Sequence, residues 1–239
     1  KSGDWALATD IQKKLISRIE GSGKKAKEKK ILSRYIYNNG VRHFSNGNFE
    51  AAIPEFKKAL REDTQCLPAY IILGDALMKT SNVKAALKAW KTGYENTNSP
   101  VCLMQMEKFY RESSQVGEMV KVYKEAIKNA QNSTRETLSL LLGSLYLEEG
   151  NTEKTIQIIE ENTDSQKAII PSLILARAYK QQRDEEHSQK AMENASYRVK
   201  SAIFNFKCGE CGESLDEWAN SCPTCHAFDQ IECCPGVNS

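Results

Sequence analysis

Residues 69–93 read AYIILGDALMKTSNVKAALKAWKTG and contain the pattern from which the architecture of this chain follows. Apolar residues recur at helical spacing on both sides of the polar pair Ser81-Asn82, which indicates two helices joined by a short turn. The small residues Gly74 and Ala86 lie where these helices would cross, and Trp90 follows one turn after Ala86. Small side chains let two backbones approach, and the aromatic ring fills the space to the next helix pair. The stretch therefore predicts a tight helical hairpin.

The same arrangement returns along residues 33–197 with a period near 34, in about five copies. This period and this helix–turn–helix pattern are those of the tetratricopeptide repeat (TPR). Turn signals recur at residues 46–48 and 150–151. We expect an all-α fold, a right-handed TPR solenoid of helical hairpins, in which the aromatic stripes form core and not a cofactor site. The diagnostic positions of the other copies are Gly40, Ala52, Phe56 and Ala59; Leu103, Met106, Tyr110, Met119, Tyr123 and Ala126; Leu142, Gly143, Tyr146, Gly150 and Ile159; and Leu175, Ala176, Tyr179, Met192 and Ala195.

Residues 1–20 have the pattern of the second helix of a truncated repeat whose first helix is missing. We interpret the chain as a fragment of a longer array and expect Leu7, Ile11 and Leu15 to be partly exposed. The basic run KKAKEKK at residues 24–30 is interpreted as a solvated linker and helix start. The alternative is a site for an anionic partner, of which a membrane surface is the most obvious if an anchor lies upstream.

Residues 203–236 carry two Cys-x-x-Cys pairs, Cys208 with Cys211 and Cys222 with Cys225. Two such pairs a short loop apart supply four thiolates for a tetrahedral metal site. A segment below about 40 residues needs a stabilising metal site or cross-link because its hydrophobic core is too small. We predict a small C-terminal four-cysteine knuckle domain of the rubredoxin or zinc-ribbon type.

Zinc in a purely structural role is the predicted metal, because four thiolates close the coordination shell. Iron is the alternative, since a four-thiolate site accepts either metal. His226 follows the last ligand and is expected at the surface. The aromatic residues of the segment are candidates for its small core, and we expect some of them to dock the knuckle on the repeats: Phe204, Phe206, Trp218 and Phe228.

Charge is unevenly spread along the chain, whose formal net charge is +2. From Phe204 onward one base faces six acids, so this part carries −5 and the preceding residues carry +7. Nucleic-acid binding by the knuckle is therefore not expected, because that role needs a basic footprint. The lone cysteines Cys66 and Cys102 suit a reducing compartment. The doublet Cys233-Cys234 has no physical explanation in the sequence.

Helical solenoids bind peptides on the concave face that their first helices form. The sequence lacks a phosphate-cradling glycine loop, a His-Glu-x-x-His motif and a nucleophile elbow, so we expect no enzyme. The leading hypothesis is a non-catalytic scaffold that holds a protein client, and the alternative is a redox or iron sensor that uses the four-cysteine site. Candidate binding residues, by position in the repeat, are Arg34, Tyr37, Val41, Phe44, Ile71, Asp75, Met78, Lys79, Lys108 and Arg111.

The order of parts, a TPR array followed by Lys207-Cys208-Gly-Glu-Cys211-Gly212, then Trp218 and Cys222-Pro-Thr-Cys225, resembles the lipopolysaccharide assembly protein B family. The resemblance covers essentially the whole chain. It implies a rubredoxin-type domain packed against the repeats, with Cys208, Cys211, Cys222 and Cys225 as the metal ligands. It also implies an amino-terminal anchor, absent from this chain, that places the array on the cytoplasmic face of the bacterial inner membrane.

The same resemblance implies a regulatory adaptor. Its partners would be the deacetylase that commits lipid A synthesis, a membrane-bound AAA+ protease and the lipopolysaccharide transport proteins. Two features depart from the family pattern: His226 stands where relatives carry a longer base, and the chain has the Cys233-Cys234 tail.

Overall fold

The computed structural model describes residues 4–164, 168–215, 219, 221–227 and 230–235. Within these residues the chain forms eleven helices followed by a small three-stranded sheet. The residues divide into two compact units, 1–134 and 135–239. The elements are α1 (Trp5–Arg18), α2 (Ser22–Ser45), α3 (Phe49–Glu62), α4 (Leu67–Lys79), α5 (Val83–Thr97), α6 (Pro100–Glu112), α7 (Val116–Asn129), α8 (Asn132–Glu148), α9 (Thr152–Asn162), α10 (Ile169–Gln181), α11 (Glu185–Ile203), β1 (Phe204–Cys208), β2 (Ser214–Leu215) and β3 (Ile231–Pro235).

Five tight turns of one type connect α2 to α3, α4 to α5, α6 to α7, α8 to α9 and α10 to α11. In each turn one residue has a left-handed backbone, with φ between 55° and 75°, and the next amide donates to the carbonyl five residues earlier. This is the Schellman arrangement, which satisfies carbonyls at the end of the first helix. The five left-handed residues are Gly47, Ser81, Ser114, Gly150 and Arg183.

In three of the five hairpins, a side chain from the second helix packs onto a glycine of the first, as the sequence pattern predicted. A Cβ atom at Gly40 would lie 2.7 Å from the ring of Phe56, and one at Gly143 would lie 2.7 Å from Ile159 Cδ1. At Gly74 a Cβ would overlap the indole of Trp90, whose Nε1 donates to the carbonyl of Ile71 at 3.2 Å. Glycine therefore permits each of these helix crossings.

In the first unit, α1 packs on the repeats through only one of its faces. Ile16 joins a core cluster with residues of α2, α3 and α4, and Gln12 is also buried. The opposite face is open, because Leu7, Ile11 and Leu15 are 57%, 58% and 44% exposed. The expected exposure of these three side chains is confirmed.

In the second unit, the last helix leads directly into the knuckle. Helix α11 ends at Ile203 and β1 begins at Phe204, so no linker separates them. Strand β1 is central and pairs antiparallel with both β2 and β3, and the register places Cys208 opposite Ile231. The sheet thereby fixes the first metal-ligand candidate at the end of β1. Among the described helices, none combines the length and apolar character that crossing a membrane requires.

Candidate metal centre and concave groove

The four cysteines of the two Cys-x-x-Cys pairs converge on one point. Their sulfur atoms all lie within 4.8 Å of one another, with Sγ–Sγ distances of 3.7 Å between Cys208 and Cys225 and 3.6 Å between Cys211 and Cys222. A tetrahedral ion with metal–sulfur bonds of about 2.3 Å separates its ligands by about 3.8 Å. Both distances fit a tetrahedral metal ion, and the four cysteines form a site that can hold a metal ion.

The two halves of this site have the same backbone hydrogen bonds. In the first half the amide of Gly212 donates to the carbonyl of Cys208, and the Cys208 amide donates to the carbonyl of Glu213. In the second half the amide of His226 donates to the carbonyl of Cys222, and the Cys222 amide donates to the carbonyl of Ala227. Gly212 and His226, which follow the last cysteine of each pair, both have left-handed backbones, with φ of 76° and 60°. The chain thus builds the same turn twice, fourteen residues apart.

Backbone amides also point at the sulfurs. The amides of Cys225 and Thr224 donate to the sulfur of Cys222 and lower the pKa of that thiol to about 7. Hydrogen bonds to a thiolate favour the charged form, which is the form that binds metal. The amide of Glu213 donates in the same way to Cys211, but the neighbouring sulfurs outweigh it and raise the pKa of that thiol to about 12. The second turn therefore favours the thiolate form of Cys222.

The surroundings of the site are unequal on its two sides. Cys208 and Cys222 are buried with Ile231, with Leu215 and Ala227 against them, whereas Cys211 and Cys225 are exposed. His226 is exposed and is not part of the ligand group found among the described residues. The predictions for Trp218 and Phe228 fall outside the described residues, as do the side chains of Phe204, Phe206, Cys233 and Cys234.

A groove of about 360 Å³ lies in the first unit, on the first helices of three successive hairpins. Phe44 reaches it from α2, Met78 from α4 and Phe109 from α6, while Trp90 of α5 contributes to its wall. The polar groups that line it are Asp75 and Lys79 of α4 and Gln105, Lys108 and Glu112 of α6.

The predicted concave-face residues divide into two groups. Phe44, Asp75, Met78, Lys79 and Lys108 line this groove together. Of the others, Tyr37 packs on Phe56 with ring centroids 5.9 Å apart, and Arg111 pairs with Glu107 at 2.7 Å. Arg34 is exposed, and Val41 and Ile71 are half-buried. The structure does not place Arg34, Tyr37, Val41, Ile71 or Arg111 in the lining of the groove.

Exposed apolar residues that the sequence reasoning missed lie on the first helices. Val101 and Met104 of α6 are 42% and 46% exposed, and their spacing puts them on the same side of the helix as Lys108. Ile170 and Leu173 hold the same repeat positions in α10 and are 61% and 44% exposed. Aligning the repeats by their diagnostic small residues, Gly74 and Ala176 among them, was the signal that would have found these positions.

No protein-family model matches the sequence, and no curated protein matches it either. Among solved structures, the C-terminal part of a TPR repeat-containing protein from Cytophaga hutchinsonii is 13% identical, covers 83% of this chain and 76% of its own, and superposes with a TM-score of 0.51. BtubC (BKLC) from P. vanneervenii is 12% identical over 83% of this chain and 89% of its own, with a TM-score of 0.53. The crystal structure of MamA is 19% identical over 73% of this chain and 93% of its own, with a TM-score of 0.48. The two structures with TM-scores above 0.5 establish the fold alone, which is a TPR solenoid.

Proposed function

We propose that this protein is a non-catalytic protein–protein interaction scaffold whose groove holds a segment of another polypeptide. The observation that carries the proposal is the groove itself, which takes side chains from the first helices of three successive hairpins. Stacked hairpins present such a surface as one continuous face, which suits an elongated ligand better than a compact one. Partly exposed aromatic and methionine side chains supply the apolar area that peptide binding needs.

The knuckle, in this proposal, carries a structural zinc ion. Four sulfurs close a tetrahedral shell and leave no open position for a substrate or water. Iron in the same site is the alternative, and with it a redox or iron sensor. The exposure of Cys211 and Cys225 favours that alternative, because solvent-borne oxidants reach both sulfurs. Elemental analysis with visible absorption separates the two: colourless protein with one zinc per chain argues against the sensor.

The specific role is proposed from the order of parts alone. A TPR array followed by the four-cysteine knuckle suggests the regulatory adaptor of lipid A synthesis that was inferred from the sequence. Its partners would be the committing deacetylase, a membrane AAA+ protease and the lipopolysaccharide transport proteins. Its place would be the cytoplasmic face of the bacterial inner membrane.

Affinity capture tests the scaffold. We expect the chain to retain specific proteins from a lysate of its source, and Met78→Gln to reduce their recovery at least about tenfold by removing an apolar anchor from the groove. Met192→Gln is the matched control, since Met192 is exposed on α11 in the other unit. Both variants should keep the helical circular dichroism of the parent. Equal recovery by the parent and the Met78 variant would remove the groove from the function.

A further inference from the structure

The two compact units carry opposite charge. Residues 1–134 contain 23 lysines and arginines against 14 acids, a net charge of +9, and residues 135–239 contain 10 against 17, a net charge of −7. The groove of about 360 Å³ lies entirely within the basic unit. A net charge of this size sets the sign of the potential over a whole surface and attracts partners of the opposite sign.

The charged groups that line the groove are two bases and two acids. Lys79 and Lys108 are exposed at the rim, and so is Glu112. Asp75 is half-buried in the lining of the groove. Burial raises the pKa of the Asp75 carboxyl above its ordinary value, and the charges of Lys108 and Lys79 pull it part of the way back. The charges of both lysines therefore already act on Asp75, which weakens the attraction that it offers to a further cation.

The lining by itself is neutral, so the remaining charge of the unit decides which ligand is attracted. A basic segment would approach a surface of net charge +9, where the exposed lining residues are two lysines, Lys79 and Lys108, against one acid, Glu112. A wholly apolar segment would cover the ammonium groups of Lys79 and Lys108 without replacing the water that they lose, which costs free energy. A segment with an acidic residue beside its apolar anchor is attracted by the positive charge of the unit, and its carboxylate replaces the water that the lysines lose.

We infer that the groove takes a polypeptide segment in which a large apolar side chain is followed by acidic residues. The apolar side chain enters among Phe44, Met78 and Phe109, and the carboxylates pair with Lys79 and Lys108 at the rim. The inference rests on the proposed scaffold function and names the chemistry of its partner. Val101 and Met104 extend the apolar surface toward the start of α6, so a second apolar residue on the amino- or carboxyl-terminal side of the anchor strengthens binding.

Fluorescence anisotropy with three labelled twelve-residue peptides tests this directly. One peptide has a central Leu-Phe pair followed by two glutamates, the second replaces the glutamates with lysines, and the third replaces Leu-Phe with Ala-Ala. We expect the first to bind the full chain at least about tenfold more tightly than either of the others. Its affinity should fall several-fold when the salt concentration rises from about 0.05 to about 0.3 M. Absence of binding by the first peptide, or equal binding by the lysine peptide, overturns the inference.

Paired charge reversals show whether the groove or the whole unit selects the ligand. The double variant Lys79→Glu with Lys108→Glu should lose the acidic peptide and gain affinity for the lysine peptide. The control, Lys84→Glu with Lys88→Glu, makes the same change of charge at exposed positions of α5 outside the groove and should keep the parent preference. Equal losses in both double variants contradict a groove site.

The peptide and capture experiments distinguish a failure of this inference from a failure of the proposed function. If Met78→Gln abolishes capture of partner proteins but the lysine peptide binds best, the scaffold stands and the acidic partner is wrong. If Met78→Gln leaves capture unchanged, the groove is not the binding surface and the proposed function fails with it.

Discussion

At the scale of single residues, the glycines of the helix crossings set how closely the helices approach. Gly74→Ala places a methyl group inside the indole of Trp90, which is itself fixed by its hydrogen bond to Ile71. We expect this variant to lower the free energy of unfolding by about 1–3 kcal/mol, the usual cost of overpacking. Urea unfolding followed by tryptophan fluorescence measures it.

Gly117→Ala is the matched control and should have the opposite sign. Gly117 lies in α7, and a Cβ added there meets no atom within 4 Å. Alanine is favoured over glycine in a helix by up to about 1 kcal/mol, so the control should be neutral or more stable. Similar losses in both variants would contradict the explanation, because a methyl group at Gly117 meets no neighbouring atom.

At the scale of helices and turns, the hairpins were predictable because each copy repeats small and large residues at helical spacing. Turns at Gly47, Ser81 and Gly150 were predicted from Asn, Gly and Ser signals. The turns at Ser114 and Arg183 have the same left-handed geometry with weaker local signals. There the neighbouring helices impose the backbone, so only the repeat period pointed to them.

The strained turn at Ser114 gives a prediction at this scale. Its φ of 55° is costly for a residue with a Cβ and costs glycine nothing. Ser114→Gly should therefore raise the free energy of unfolding by about 0.5–1 kcal/mol. The gain is limited to this range because glycine has more conformational entropy to lose from the unfolded chain. Thermal unfolding measures the gain. Gly150→Ser, which introduces the same strain at the equivalent turn, should be less stable than the parent; a gain there would contradict the explanation.

For the candidate sites, the sequence was informative to different degrees. The four cysteines were predictable because ligation requires fixed residue types at fixed spacing, and their sulfurs do converge. The groove was predictable only in part. The position of a residue in the repeat predicts which face of the helix carries it, but it does not predict which neighbouring side chains bury that residue. Tyr37 illustrates the difference, since its ring packs against Phe56 and does not line the groove.

At the scale of the whole molecule, the repeats and the knuckle differ in how much apolar core they have. The repeats have cores of buried apolar residues, whereas the described core of the knuckle is Cys208, Cys222 and Ile231 with two partly buried neighbours. We expect a segment this small to hold its fold through a bound ion, since structural zinc supplies roughly 10–16 kcal/mol of apparent binding energy. Loss of the metal should therefore act locally.

We expect a chelator to expose the amides of β1, β2 and β3 to hydrogen exchange while α2 to α7 keep their protection. Because α11 continues into β1 without a linker, exchange should also rise in the last turn of α11. Hydrogen-exchange mass spectrometry measures both effects, and Cys211→Ser, which removes one exposed ligand, should reproduce them without chelator. Unchanged protection of the three strands, with metal loss verified by elemental analysis, would mean that hydrogen bonds and Ile231 suffice and that the ion serves chemistry rather than folding.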